Sequence, residues 1–139
     1  KKCVHCVMLE WEHLDARRII FENDDAIVFA PFVSREPFEL RVFPKAHSPY
    51  FEDASPELLA GVARALQEAL LRITKCLRDP DYNFFIHTSP VHHKSSYHHY
   101  HWHIEVQPKI SISAGFELGT GIEITAVDPD DAAAILKVK

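Results

Sequence analysis

The sequence predicts an α+β domain in which an antiparallel sheet carries one long helix, and three observations predict it. Residues 18–43 hold three short β-branched and aromatic runs in quick succession, the pattern of a meander. Ser55-Pro56-Glu57 opens a run of apolar residues at three- and four-residue spacing that Asp79-Pro80 stops. His99-Tyr100-His101-Trp102-His103-Ile104-Glu105-Val106 alternates imidazoles with apolar residues, so that along a strand one face bears chemistry and the other packs.

Each element has its own signal. After Cys3-Val4-His5-Cys6, residues 8–13 read as a short helical turn. Residues 18–22 form a first strand, Asn23-Asp24-Asp25 the turn, and residues 26–30 a second strand ended by Pro31. A third, alternating strand covers 38–43 and ends at Pro44. The long helix takes Ser55 as its capping hydroxyl, Pro56 at its first position and Glu57 near the positive end of its dipole. It runs to about Leu77, with Leu59, Val62, Leu66, Leu70, Ile73 and Leu77 as its packing stripe and Cys76 buried beside it. Residues 82–88 and 99–106 read as strands joined by a polar loop over 89–97. Gly119-Thr120-Gly121 breaks the chain before a last strand at 122–127, and a helix capped by Asp128, with Pro129 first and Asp130 and Asp131 in its first turn, closes near Lys137. The order is β-β-β-α-β-β-β-α in a single domain over 1–139.

Bulk properties narrow the function. A chain of 139 residues with 47% apolar content buries a core without disulfide staples. A net charge of -5 argues against affinity built on neutralising many phosphates, so no nucleic-acid partner is expected, while a small phosphorylated ligand needs only a few local donors. No apolar run approaches the roughly 20 residues of a membrane span, and no membrane partner is expected. Three cysteines in this arrangement do not make a secreted disulfide framework, which points to a reducing, cytoplasmic compartment. The chain starts without Met, as a processed, truncated or partial sequence does.

Seven of the ten histidines fall between His87 and His103, a density that packing does not require. The Cys3/Cys6 pair has three readings: a redox pair, which wants a thioredoxin-like context the meander does not supply; an ordinary thiol pair; or half of a tetrahedral zinc site needing two more ligands. For the last, His47 and His99 are the best candidates. His101, two residues on, would then be left as a nucleophile toward phosphorus, since an imidazole is largely unprotonated at pH 7. His103 would donate a hydrogen bond to a phosphoryl oxygen or leaving group. No Walker-type glycines and no G-x-G-x-x-G occur, so phosphate would be held by side chains and strand or loop amides.

At these residues the chain resembles the histidine triad superfamily, whose motif is His-φ-His-φ-His-φ-φ, and more closely its galactose-1-phosphate uridylyltransferase branch. The resemblance spans nearly the whole chain and rests on Cys3-Val4-His5-Cys6, Pro44-Lys45-Ala46-His47, the 82–90 stretch YNFFIHTSP, His101-Trp102-His103-Ile104-Glu105 and the 115–121 stretch GFELGTG. It implies a histidine-triad-like fold and the second of two copies found in such transferases. It further implies structural zinc on Cys3, Cys6, His47 and His99, and a nucleotide-carrying position at His101. In the family the working nucleophile lies in the first copy, followed by Gln where this chain has His103; His at that place is the pattern of the triad hydrolases. Asn83, Phe116, Glu117, Gly119 and Thr120 are assigned to the nucleotide sugar, the partner of a sugar phosphate in the reaction. In some second copies, positions resembling His87, His101 and His103 bind a further metal with a carboxylate from the first copy. The assembly implied is an intertwined homodimer or a two-copy parent chain. Three functions follow: a nucleotidyltransferase or its C-terminal domain working through a histidine intermediate, a triad nucleotide hydrolase, or a non-catalytic metal-bound dimerisation half.

Overall fold

A computed structural model describes residues 2–138. It shows an α+β fold with strands β1 (Ile19–Glu22), β2 (Ala26–Phe29), β3 (Leu40–Pro44), β4 (Tyr82–His87) and β5 (His103–Pro108), and helices α1 (Val4–Asp15), α2 (Pro56–Cys76), α3 (Gly115–Thr120) and α4 (Pro129–Lys137). The strands form one antiparallel sheet in the order β1-β2-β3-β5-β4.

Helix α2 begins as its sequence dictates, with Ser55 Oγ accepting from the Leu58 amide and Pro56 in the first turn. Its stripe is rotated from the expected one. Val62, Ala65, Ala69 and Ile73 are the buried axis, and Leu59, Leu66, Leu70 and Leu77 flank it half-buried. Small residues on the axis let the helix lie close over β1, β2 and β3, and Val28, Leu40, Val42, Trp102, Ile104 and Val106 belong to the same apolar cluster. Buried Arg72 donates to the Leu136 carbonyl at the end of α4 and pairs with Glu68 at 2.8 Å, so a cation sits at the negative end of that helix.

On the opposite face Met8 and Leu9 of α1 cover Ile27, Phe29 and Phe43. This helix is longer than the expected turn, because Val7 N–H bonds the Cys3 carbonyl and Ala16, in the left-handed region at φ 56°, closes the far end. Buried Glu12 accepts from Arg18 at 3.0 Å and binds α1 to the start of β1. Cys76 is half-buried, not fully buried.

Two expected strands change. The 99–106 strand starts only at His103, since Tyr100 N–H bonds the Tyr97 carbonyl and Trp102 N–H bonds that of Ser48, holding the preceding residues in turns. The 122–127 stretch is not a strand. It follows the short helix α3, which takes in Gly119 and Thr120 and ends on Gly121 at φ 69°. Ile122 and Ile124 remain exposed, and Thr125 Oγ donates to the Ser34 carbonyl at 2.8 Å instead of entering a ladder.

Gly61 marks the closest approach of sheet and helix. Its carbonyl accepts from Asn23 Nδ2 at 2.9 Å, and a Cβ there would overlap both the carboxyl and the Cβ of Asp25. Gly61→Ala is therefore expected to destabilise the protein by about 1–3 kcal/mol through overpacking, despite the better helix propensity of Ala, as read from urea unfolding.

Candidate functional site

Strand β5 and the two residues that lead into it face two ways. Trp102, Ile104 and Val106 enter the α2 core, while His101, His103 and Glu105 look to the other side. Two clusters of metal-ligating side chains form there, each with its donor atoms within 4.8 Å of one another: Cys3, Cys6, His47 and His101, and His87, His103 and Glu105.

The first cluster gathers three elements. Cys3 is the N-cap of α1 and Cys6 lies in its first turn, His47 comes from just beyond β3, and His101 from the lead-in to β5. Cys6 Sγ lies 3.2 Å from His47 Nδ1 and 3.6 Å from His101 Nδ1. His47 Nε2 is 2.8 Å from the His98 carbonyl, which can only accept, so Nε2 carries the proton and Nδ1 turns its lone pair toward the thiol. Two sulfurs and two imidazoles suit a closed tetrahedral zinc site, and the imposed His47 tautomer fits it.

His99 stands outside this cluster. It lies in the turn before His101, exposed and beside Tyr97, because the strand alternation does not extend back to it. Tyr100, expected beside Trp102, instead packs near His5 and His103. His101, read as the nucleophile, stands with Cys3, Cys6 and His47 instead.

In the second cluster His103 is sandwiched, with Phe43 stacked at 4.4 Å on one side and His87 at 4.8 Å on the other. Its Nδ1 lies 3.1 Å from the His101 carbonyl, so that nitrogen holds the proton and Nε2 is bare. His87 Nε2 is buried without a hydrogen bond, 3.4 Å from Glu105 Oε2. Glu105 also accepts from Gln107 and faces Arg41 at 3.9 Å, and Arg41 in turn pairs at 3.0 Å with fully buried Glu39. The sequence alone leaves Glu105 ambiguous between a solvated charge and a phosphate contact, although its place two residues beyond His103 puts it on the imidazole face. His5, carried between the two cysteines, lies 5.1 Å ring to ring from His103 and was likewise missed.

Burial sets the protonation. It pulls His101 down to about 4, helped by His47 and His5, and His103 down to about 3, helped by His87 and His5. Both are neutral at pH 7. Burial and the adjacent Cys3 push the Cys6 thiol up to about 11. A groove of about 720 Å³ lined by Leu9, Ile27, Glu22 and Lys45 opens beside Cys6 and His101.

The residues expected on the nucleotide sugar lie apart from both clusters. Asn83 is exposed on β4 opposite Gln107, and the others ride on α3. Glu117 accepts from the Ala114 amide at the start of α3, Thr120 Oγ donates to the Phe116 carbonyl, and Phe116 is exposed.

Residues 2–114 match the family described as "Scavenger mRNA decapping enzyme C-term binding". The chain is 37% identical over 120 residues to ADP-glucose phosphorylase of Arabidopsis thaliana, covering 86% of this chain and 34% of that one. A crystal structure of an ADP-glucose phosphorylase from Arabidopsis thaliana with bound ADP-glucose superposes with a TM-score of 0.85 at 33% identity, over 99% of this chain and 44% of that chain. Galactose-1-phosphate uridylyltransferase of Thermotoga maritima is 27% identical over 144 residues, covering 99% of this chain and 45% of the relative. A zinc-bound histidine triad family protein from Mycobacterium smegmatis shares the fold at a TM-score of 0.66 and 20% identity, over 97% of this chain and 90% of its own. The chain thus spans less than half the length of the two curated relatives, and its fold is histidine-triad-like.

Two outcomes are expected for metal and pH. One zinc should bind per chain and be lost in Cys3→Ser and His101→Ala but kept in His99→Ala, by atomic emission on purified protein. Its affinity should fall about tenfold for each proton displaced as the pH drops by one unit, Cys6 supplying at least one, by competition titration. Without metal, stability should decline as pH falls from 6.5 toward 4, because the unfolded chain then protonates an imidazole that the fold keeps neutral at His101, as urea titrations at several pH values would register.

Proposed function

The chain belongs to the scavenger mRNA decapping enzyme C-terminal binding family, and from that premise we propose that it acts in nucleotidyl transfer as the C-terminal unit of a longer, two-unit enzyme. The reaction moves a nucleoside monophosphate between a nucleotide sugar and a sugar 1-phosphate through a histidine intermediate. Its relatives are nucleotidyl-transferring enzymes that act on such compounds, which supports the class. The observation that carries the reading is the His103 tautomer: Nδ1–H held by the His101 carbonyl, Nε2 bare, and the ring neutral at pH 7.

With His101 in the cysteine cluster, the attacking role passes to His103. Nε2 attacks the α-phosphorus, a P–N bond forms, and the P–O bond to the leaving sugar phosphate breaks with its electron pair on the departing oxygen. A phosphate oxygen of the acceptor then attacks the same phosphorus, and the P–N pair returns to the imidazole. The Nδ1–H bond stabilises the charge that the ring gains in the intermediate. Zinc on Cys3, Cys6, His47 and His101 would be structural, four protein ligands leaving no open position, and would fix α1 against β5. Asn83, Phe116, Glu117, Gly119 and Thr120 remain the proposed contacts for the nucleotide sugar, and the cytoplasm the proposed compartment.

A second reading rests on the convergence of His87, His103 and Glu105, which favours a non-catalytic half whose His103 is itself a ligand. Incubation with ADP-glucose or UDP-glucose labelled in the α-phosphate, followed by acid-free denaturation, separates the readings. Label should stay on the protein, vanish in His103→Ala and persist in His99→Ala. Absence of label together with a second metal equivalent lost in His103→Ala would establish the scaffold instead, and monophosphate released without an acceptor would establish a hydrolase.

A further inference from the structure

We propose that the exposed imidazoles of His92, His93, His98 and His99 capture a zinc ion from solution and pass it to the cysteine cluster. Of the seven histidines between residues 87 and 103, His87, His101 and His103 belong to the two clusters of metal-ligating side chains, and these four do not. All four are exposed on the segment that leads from β4 into β5. Packing gives no reason for them, whereas imidazole is a ready ligand for zinc.

The segment is fastened beside the cysteine cluster. Its Lys94 carbonyl accepts from the Tyr50 hydroxyl at 2.7 Å, and Lys94 Nζ pairs with Asp53 at 3.0 Å and with Glu52 at 3.4 Å. Further on, His47, itself one of the four cluster residues, donates from Nε2 to the His98 carbonyl at 2.8 Å. Around these two anchors the backbone is drawn into successive tight turns, with the Ser96 amide on the His93 carbonyl at 2.8 Å and the Tyr100 amide on that of Tyr97 at 2.9 Å. The 3₁₀ turn at Lys94–Ser96 advances the chain by only about 6 Å, so one histidine pair is carried close to the other. The Cα atoms of His99 and His101 are at most about 7 Å apart, by the reach of two residues.

This placement gives a captured ion a short way inward. His47 is exposed while Cys3 and His101 are buried, so the cluster opens to solvent on the side where the segment is bonded to it. An ion held on so short a tether meets the cluster at an effective concentration on the order of mM. The handover is a ligand exchange: the imidazoles of the segment release the ion as His47, His101 and the two sulfurs take it, each thiol gives its proton to solvent, and no electron moves. The inference rests on the reading of the cysteine cluster as a zinc site.

The test uses the zinc-loaded chain. Exchange of its zinc against radioactive zinc in solution should rise with the free ion and level off as the four imidazoles fill. With His92→Gln, His93→Gln, His98→Gln and His99→Gln combined, exchange should slow about tenfold and stay linear in free zinc, while the zinc content holds at one per chain and shows that the cluster is intact. Cobalt(II) added below one equivalent to the unaltered, zinc-loaded chain supplies a reading that needs no variant: side-chain resonances of these four histidines should broaden before that of His13, which is also exposed but lies on α1. Equal exchange rates in the two chains, or broadening no stronger at the four histidines than at His13, overturns the proposal. An unaltered chain without tightly held zinc overturns the handover together with the cysteine reading, and the cobalt broadening, which needs no cysteine, tells that result from a failed capture.

Discussion

Everything in this domain depends on one strand facing two ways. Trp102, Ile104 and Val106 belong to the core under α2, and the residues that alternate with them enter the two clusters of metal-ligating side chains. Because the pleat has a period of two, a one-residue slip of β5 would bury imidazoles under α2 and turn Trp102 outward, so the packing of the apolar set fixes the position of the polar set. Fully buried Trp102, set edge-on to Phe51 at 5.2 Å, is the anchor of that register. His101 is thereby delivered to the cysteines, and His103 is delivered two residues further along the same face.

Burial then gives neighbouring imidazoles different work. Both are neutral at physiological pH for the same reason, desolvation, but their hydrogen bonds differ. His101 offers Nδ1 to Cys6, whereas His103 spends Nδ1–H on the carbonyl of His101 itself and keeps Nε2 free. Around them Arg41, Glu39, Glu105 and Gln107 form a continuous polar line across β3 and β5, and the cation of Arg41 lies between two carboxylates. Desolvation raises the pKa of Glu39, and the Arg35 amide and Arg41 oppose that rise. One wall of the site is therefore a largely buried, hydrogen-bonded polar line.

Most of the fold was legible in local signals. The Ser55-Pro56 start, the Asp128-Pro129 start and the meander over 18–44 are set by capping chemistry and turn residues that act within a few positions. The cysteine cluster was legible by residue type, but the structure brings His101 to it and leaves His99, one repeat of the alternation earlier, outside. Counting back from His103 placed His99 on the same strand face, but the turn at residues 97–100 and the Trp102 bond to Ser48 end the strand first, and those are long-range facts. The 122–127 stretch has strand-like residues and no neighbouring strand to pair with among the described residues, so propensity alone could not place it. The last turn of α1 is held by Glu12 and Arg18, only six residues apart, and by Ala16 in the left-handed region.

The ring nitrogens report the proposed division of labour between His101 and His103 directly. Long-range ¹⁵N–¹H correlation of the histidine side chains in zinc-loaded protein should show His101 Nδ1 without a proton and shifted by metal, and His103 as the Nδ1–H tautomer with a free Nε2. A metal-shifted His99 with His101 unperturbed, or His103 carrying its proton on Nε2, would contradict it.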